Sequence, residues 1–363
     1  MNAGSSSVKF SLIGPADETV AERELQAPDA DMDPAELRDA LAGGLARADA
    51  VGHRIVHGGE RFREALLIDS GVADQLLQIA QLAPLHQRKS LAALRAVDDA
   101  LPDVPAVACF DTAFHATLAP AARTYALPAA WRRRWHLRRY GFHGLSHAWV
   151  ARRVPELLAE RDAAGLKIVS CHLGAGASLC AIEGGRSVDT TMGFTPLEGL
   201  VMATRSGTVD PGMLLWLLEH EGMTELEMAS ALEHESGLLG LAGSPDMRLI
   251  LSRADAGVDD AGLALEVYLH RLRGAIASMA AALGGLDALA FTGGVGEHAA
   301  AVRARAADGL AFLGVAIDPD ANETAQEDME IGATGARVKV LVVRAREDLE
   351  IARQARRVLA AGR

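Results

Sequence analysis

Apolar and polar residues alternate from Val8 through Lys9, Phe10 and Ser11 to Leu12, the two-residue period of a half-buried strand. The strand follows the small-residue turn Asn2-Ala3-Gly4-Ser5-Ser6-Ser7. The spacing predicts helices over 34–47 and 90–100, and a short apolar strand over 104–110 that ends at Asp111. The same grammar returns later: strand 166–171, polar turn 174–178, strand 179–182 and the hairpin turn Glu183-Gly184-Gly185-Arg186. Strand 288–291 runs into Thr292-Gly293-Gly294-Val295-Gly296-Glu297 and a helix, an order that aims backbone N–H groups at phosphate. A last strand, 338–343, passes through Arg346-Glu347-Asp348 into a closing helix. Two related α/β halves, each with a phosphate-facing turn, predict a cleft between them with a short hinge near 111–116.

Composition narrows the partners. The chain has 363 residues, 50% of them hydrophobic, which is enough for two domains with cores. Its 36 basic and 48 acidic residues give a net charge of −12, which argues against general affinity for nucleic acid or anionic membrane. An anionic substrate must then be drawn in by local arginines. Cys109, Cys171 and Cys180 lie in apolar settings without metal-ligand spacing and read as reduced, buried thiols. The start MNAGSSSVKF lacks an apolar core for a secretory signal, and the greasy run 263–283 is broken by His270, Arg271 and Arg273. A cytoplasmic location without a membrane anchor is expected. The basic, aromatic stretch Trp131–Arg139 reads as a solvated helix or partner surface rather than a nucleic-acid site.

The segment 171–211 holds most of the chemistry. It combines a glycine turn, His172, a hydroxyl-rich run and Arg205 between small residues, which suits the cradling of phosphate oxygens. Arg54, between His53 and His57 and before Gly58-Gly59, is a second guanidinium able to meet an anion. Two converging guanidiniums are what the equatorial charge of a moving phosphoryl group requires. His143 and His172 each border small residues, Asp111 sits at a strand end, and Glu347 opens a helix. The two carboxylates are candidates for Mg²⁺, which takes few carboxylates and several waters. For Glu347 taken alone, a charge favourable to the helix dipole is the preferred reading.

Over essentially its whole length the chain resembles the acetate and propionate kinase family. The resemblance rests on NAGSSSVKF, GHRIVHGGERF, APLH, FDTAFH, YGFHGLSH, HLGAGASLCAI, DTTMGFTPLEGLVMATRSGTVDP, SPDMR, FTGGVGEH and REDLEIAR. It implies two duplicated actin-like (ribonuclease H-like) α/β domains, 1–112 plus 347–363 and 113–346, with a nucleotide cleft. It also implies phosphoryl transfer between ATP and acetate, with Mg²⁺ or Mn²⁺, in a homodimer. The catalytic groups so implied are Arg54, Asp111, His143 and Arg205. Asn2, His172, Gly174 and Gly176 contact phosphate, and Asn2 and Glu347 associate with the metal. Val56, Leu85, Phe142 and Pro196 form the acyl pocket, and His86 is a further active-site histidine. Lys9, His172, Gly174, Ala175, Gly176, Asp246, Met247, Arg248, Gly293, Gly294, Val295, Gly296 and Glu297 fall on nucleotide-binding positions.

The chain departs from the family pattern at four places. Asn2 directly follows Met1, so the strand leading into the first turn is expected to be missing. Ala175 stands where the family has asparagine, His298 and Arg346 replace further asparagines, and Gln87-Arg88-Lys89 replaces a polar-proline run. Two alternatives follow: a propionate or butyrate kinase, and a nucleotide-binding homologue without turnover.

Overall fold

The computed structural model describes residues 1–3, 7–26, 47–79, 84–159 and 165–362. The helix predicted over 34–47 lies, but for its last residue, outside them. Backbone contacts divide the chain into two compact units. The first comprises Met1–Ala116, Phe142–Trp149 and Arg346–Arg363, and the second Thr117–Gly141 and Val150–Ala345.

In the first unit, β1 (Asn2–Ala3), β2 (Ser7–Ile13) and β3 (Thr19–Gln26) form an antiparallel sheet in that order. The alternation read from the sequence is met: Val8 and Phe10 are buried while the Lys9 side chain is exposed. A second sheet joins β4 (Val51–Ile55), β5 (Leu66–Leu67) and β6 (Ala106–Phe110) in the order β4-β6-β5, with β4 and β6 parallel. Asn2 and Ala3, read in the sequence as part of a turn, form the two-residue β1, which pairs Asn2 with Lys9 and Ala3 with Val8. Met1 continues it: its amino group donates to the Gly52 carbonyl at 2.8 Å, and its carbonyl accepts from Arg54 N–H at 3.1 Å. Backbone hydrogen bonds thus tie β1 to strands on both sides. Beside it lies a cavity of about 310 Å³ lined by Leu12, Val51, Ile351 and Leu359 among others.

Period two also governs β6. Ala108 and Phe110 pack with Ile55, Leu76 and Phe62, the Phe62 and Phe110 rings stacked at 5.2 Å. Val107 and Cys109 face the other way, onto Leu145 and onto Ile351 and Ala355 of the closing helix Glu347–Ala361. With both faces covered, β6 is a continuous apolar run, as a central strand should be. Asp111 is the first polar residue past its end.

The second unit centres on a six-stranded sheet, ordered β11-β12-β10-β7-β8-β9. Its strands are β7 (Lys167–Leu173), β8 (Ala177–Glu183), β9 (Arg186–Thr190), β10 (Ala288–Thr292), β11 (Met329–Glu330) and β12 (Lys339–Val342). β10 runs parallel to β7 and β12, whereas β7, β8 and β9 form an antiparallel meander. The hairpin turn after β8 uses Gly184 and Gly185 at φ 54° and 74°, a left-handed conformation that glycine adopts without steric cost. The run 263–283 belongs to helix Asp259–Leu283, whose residues Ala264, Leu265, Tyr268, Leu269, Leu272 and Ile276 bury one stripe. Among the described residues no helix is long and apolar enough to cross a membrane. All three cysteines are free and buried, as read; burial pushes the Cys109 thiol up to about 12.

Candidate active site

Strand pairing builds the centre of the first unit. β4 and β6 pair Arg54 with Cys109 and Ile55 with Phe110, and the Asp111 N–H continues the ladder to the Ile55 carbonyl at 3.0 Å. Arg54 and Asp111 therefore sit at one end of neighbouring strands. Arg54 Nε donates to both Asp111 oxygens at 3.1 and 3.0 Å, and Nη2 donates to Oδ2 at 2.6 Å. Its Nη1 donates to Asn2 Oδ1 at 2.9 Å and lies 3.6 Å from Glu347 Oε2. Asn2 Nδ2 in turn donates to Glu347 Oε2 at 2.7 Å. Four residues up to 345 positions apart thus form one polar cluster.

The cluster is dry enough for its charges to matter. The Asp111 side chain is 1% exposed and that of Arg54 15%. Burial opposes the Arg54 charge, but the carboxylates of Asp111 and Glu347 outweigh it and raise the guanidinium above its ordinary value. Burial likewise pulls the Asp111 carboxyl upward, against the downward pull of Arg54. The bidentate geometry favours the ionised pair, because Arg54 holds its charge throughout.

Around this cluster the backbone is tight. Gly144 N–H donates to the Asp111 carbonyl at 2.8 Å, and a Cβ at Gly144 would fall on that carbonyl. Gly144 opens helix Gly144–Leu157, and His143 just before it adopts φ 54°, a left-handed conformation uncommon outside glycine. His143 is thereby held at a helix N-terminus, half-buried, with its carbonyl accepting from His147 N–H at 3.0 Å. Phe142 is buried, packs edge-on against His57 at 5.5 Å, and its carbonyl lies 2.9 Å from His115 Nε2. Gly59 N–H donates to His57 Nδ1 at 2.8 Å, so the neutral tautomer of that ring carries its proton on Nε2. Val56 is half-buried at the end of β4. Leu85 and His86 lie in helix Pro84–Ala100, with side chains outside the described residues. Lys9 faces outward on β2, 3.8 Å from Glu24.

In the second unit the two glycine segments leave adjacent parallel strands. Thr292 of β10 pairs with His172 of β7; a turn follows β7 at 174–176, and glycines 293–296 open the short helix Gly293–His298 directly after β10. Neighbouring strands lie about 4.8 Å apart, so the segments are one strand spacing from each other. Gly293 needs its φ of 78°, and a Cβ there would crowd the Leu173 backbone. Glu297 Oε1 accepts from Gly293 N–H and Ala345 N–H, both at 2.9 Å, bracing this segment. Buried Arg303 holds the far end, donating to the Gly296 and Glu297 carbonyls at 3.0 and 2.7 Å and to Asn322 Oδ1 at 2.8 Å. The Ala175 carbonyl accepts from Ala203 N–H at 3.1 Å, tying the first turn to the loop that carries Arg205.

Arg205 contrasts with Arg54. Its Nη1 meets the Pro196 carbonyl at 3.3 Å and the Met202 sulfur at 3.9 Å. Burial lowers its pKa, with Glu233 only partly opposing. Asp246 caps helix Met247–Asp255 by accepting from Arg248 N–H and pairs with the Arg248 guanidinium at 2.8 Å, while Met247 is buried beneath them. Tyr125, Arg139, Glu198, Arg303 and Asn322 were not singled out in the sequence as site residues. Glu198 lies inside the motif DTTMGFTPLEGLVMATRSGTVDP without standing out from it, and Gly193, packed against Tyr125 and Glu198, is a local hint. Among the described residues no group of three or more His, Cys, Asp or Glu side chains could hold a metal by itself.

The chain matches the family model described as the acetokinase family over residues 35–353. It is 51% identical over 315 residues to the acetate kinase of Leifsonia xyli subsp. xyli, covering 86% of this chain and 79% of that protein. To the acetate kinase of Gloeobacter violaceus it is 47% identical over 342 residues, covering 92% and 84%. Among solved structures, acetate kinase from Porphyromonas gingivalis superposes with a TM-score of 0.89 at 34% identity, covering 99% of this chain and 98% of that one. A propionate kinase from Francisella tularensis subsp. tularensis superposes equally, at 0.89 and 34%, with 97% of each chain covered.

Proposed function

Because the chain belongs to the acetokinase family, we propose that it transfers the γ-phosphoryl group of ATP to acetate, giving ADP and acetyl phosphate, and runs the reverse reaction. One acetate oxygen forms the new P–O bond as the bond to the ADP oxygen breaks in line. Acetate is already ionised at pH 7, so no general base and no proton transfer are needed. Catalysis then consists of alignment and charge neutralisation. The observation that carries the reading is the Asn2–Arg54–Asp111–Glu347 cluster, a buried guanidinium held between two carboxylates beside a carbonyl-bound glycine.

Arg54 and Arg205 are the proposed guanidiniums for the moving phosphoryl group. His143 and His172 donate to its oxygens, and Asp111 orients Arg54. Val56, Leu85, Phe142 and Pro196 line the methyl side of the acetate. The turns Gly174-Ala175-Gly176 and Gly293-Gly294-Val295-Gly296 bind the nucleotide phosphates through backbone N–H groups, with Lys9, Asp246, Met247 and Arg248 toward the rest of ATP. The domain division 1–112 plus 347–363 against 113–346 belongs to the same proposal.

The donor set suits Mg²⁺ rather than a softer metal. Glu347 offers a hard carboxylate, Asn2 an amide beside it, and no described cluster could replace the waters and phosphate oxygens that Mg²⁺ prefers. Glu347 with Asn2 would hold the ion, and when bound it neutralises phosphate charge. We assign the enzyme to the cytoplasm and to a homodimer. Helix Pro211–His220, sequence PGMLLWLLEH, supports the dimer: it buries none of its residues, and Leu215 and Trp216 are 65% and 50% exposed.

The test supplies ATP, Mg²⁺ and each of acetate, propionate and butyrate, while monitoring ADP release and trapping acyl phosphate with hydroxylamine. Acetate-dependent ADP release with trapped acetyl phosphate is expected. A pocket of this kind separates acids by about 1–3 kcal/mol per methylene, so propionate should be the poorer substrate. Propionate matching acetate in kcat/KM would favour the second reading, a propionate kinase, which the likeness to the Francisella structure supports. ATP binding without turnover of any acid would overturn both.

A further inference from the structure

Three side chains outside the proposed contact set converge behind the loop that carries Pro196. Arg139 Nη1 donates to the carbonyls of Thr190, Thr191 and Met192 at 3.0, 2.9 and 3.0 Å, and Nη2 pairs with Glu198 Oε1 at 2.7 Å. The Tyr125 hydroxyl donates to Glu198 Oε2 at 2.5 Å and accepts from Phe194 N–H at 2.9 Å. The Gly193 carbonyl accepts from Tyr140 and Gly141 N–H at 3.0 and 3.3 Å. Gly193 leaves no space, since a Cβ there would land on the Tyr125 hydroxyl and the Glu198 carboxylate. Both flanks of Pro196 are thereby fixed, one through Phe194 and the other through Glu198.

What Pro196 presents is its carbonyl, which receives Nη1 of Arg205 at 3.3 Å. The Arg205 backbone is anchored elsewhere: its carbonyl accepts from Met202 N–H at 3.2 Å, and the Met202 carbonyl accepts from Leu238 N–H at 2.9 Å. The head of the side chain and its root therefore answer to different constraints. The head, which would meet the phosphoryl group, depends on where the 194–198 segment sits.

We propose that Tyr125, Glu198 and Arg139 are positioning residues that set the Arg205 guanidinium through the Pro196 carbonyl. This rests on the acetate kinase reading for the anion that Arg205 meets, and none of the three is asked to touch it. Tyr125 stays protonated at neutral pH, because burial and the Glu198 carboxylate both raise its pKa, so its hydroxyl remains a donor to Glu198. A structural brace alone would have no preference for the head of Arg205. A positioning device must be coupled to it.

The experiment is a kinetic double-mutant cycle on the full chain. Tyr125→Phe removes the hydroxyl that joins Glu198 to Phe194 N–H while keeping the ring. The expected result is a loss of about tenfold in kcat/KM for acetate, with KM for ATP unchanged. In an Arg205→Ala background the same substitution should cost no more than about twofold, because the coupled partner is gone. Glu198→Gln, of equal size, carries the same cycle should Tyr125→Phe fail to fold. Parental kinetics in a folded Tyr125→Phe protein, or an equal loss with and without Arg205, overturn the proposal. A parent protein without acetate-dependent turnover would instead sink the acetate kinase reading.

Discussion

The two arginines are handled in opposite ways by their units. Arg54 is neutralised in place by Asp111 and Glu347, which raise its pKa. Arg205 has the Pro196 carbonyl and the Met202 sulfur among the partners of its head, and burial lowers its pKa, partly opposed by Glu233. An anion arriving at Arg54 must share a guanidinium already committed to carboxylates. At Arg205 it would relieve a cost that the folded protein already bears. Arg54 is thus part of the frame that holds its unit together, whereas the Arg205 charge is opposed by its burial.

The largest expected effect is at Arg54. Arg54→Ala should lower kcat by about a thousandfold and also destabilise the protein by about 3–5 kcal/mol, because Asp111 is left buried without its partner. Urea unfolding beside turnover separates the two losses. Pairing Arg54→Met with Asp111→Leu should restore stability but not activity, which sharpens the distinction. At Arg205 the expectation divides. Arg205→Ala should cost about a hundredfold or more in kcat with a smaller stability loss than that of Arg54→Ala. A stability loss as large as that of Arg54→Ala would erase the contrast.

A smaller effect is expected from Gly144→Ala. Its methyl would press on the Asp111 carbonyl, costing about 1–3 kcal/mol and raising KM for acetate through the displaced carboxylate. The smallest concerns Asp17, which sits at φ 64° and pairs with Arg353 and with Arg356 at 2.6 Å. Although burial works against it, the hydrogen bonds from the two arginines lower its pKa. A carboxylate depressed in the folded state stabilises above its ordinary value of about 4 and loses that contribution as pH falls through the folded value. Asp17→Asn, which tolerates the same backbone, should therefore cost up to about 1 kcal/mol at pH 7, with the gap to the parent closing in thermal melts below about pH 4.

Much of the scaffold was readable because it depends on local pattern. Alternation gave β2, continuous apolar runs gave β6, β7 and β10, and glycine placement gave the turn after β7, while after β10 the helix starts at the first glycine itself. Family motifs pointed to Arg54, Asp111 and Glu347, but their mutual contact comes from strand order and the return of the closing helix, which no local window contains. Arg139 shows the limit most plainly. It belongs to a basic stretch read as solvated, and Trp131 and Trp135 are indeed 51% and 47% exposed. Past the left-handed His136 the chain turns, and Arg139 points inward onto three carbonyls. Its hydrogen bonds go to carbonyls about 50 residues away, which a charge count cannot register. Glu297 is similar: its carboxylate accepts from Ala345 N–H, 48 residues on, which the glycine motif alone does not show.

Helix Pro211–His220 carries a consequence for handling the protein. If a second copy covers its apolar side, folding and association share one equilibrium, and stability acquires a concentration dependence. Each tenfold dilution would then subtract about 1.4 kcal/mol from the assembled state. Nanomolar assays and micromolar melts would report on different populations of the same enzyme.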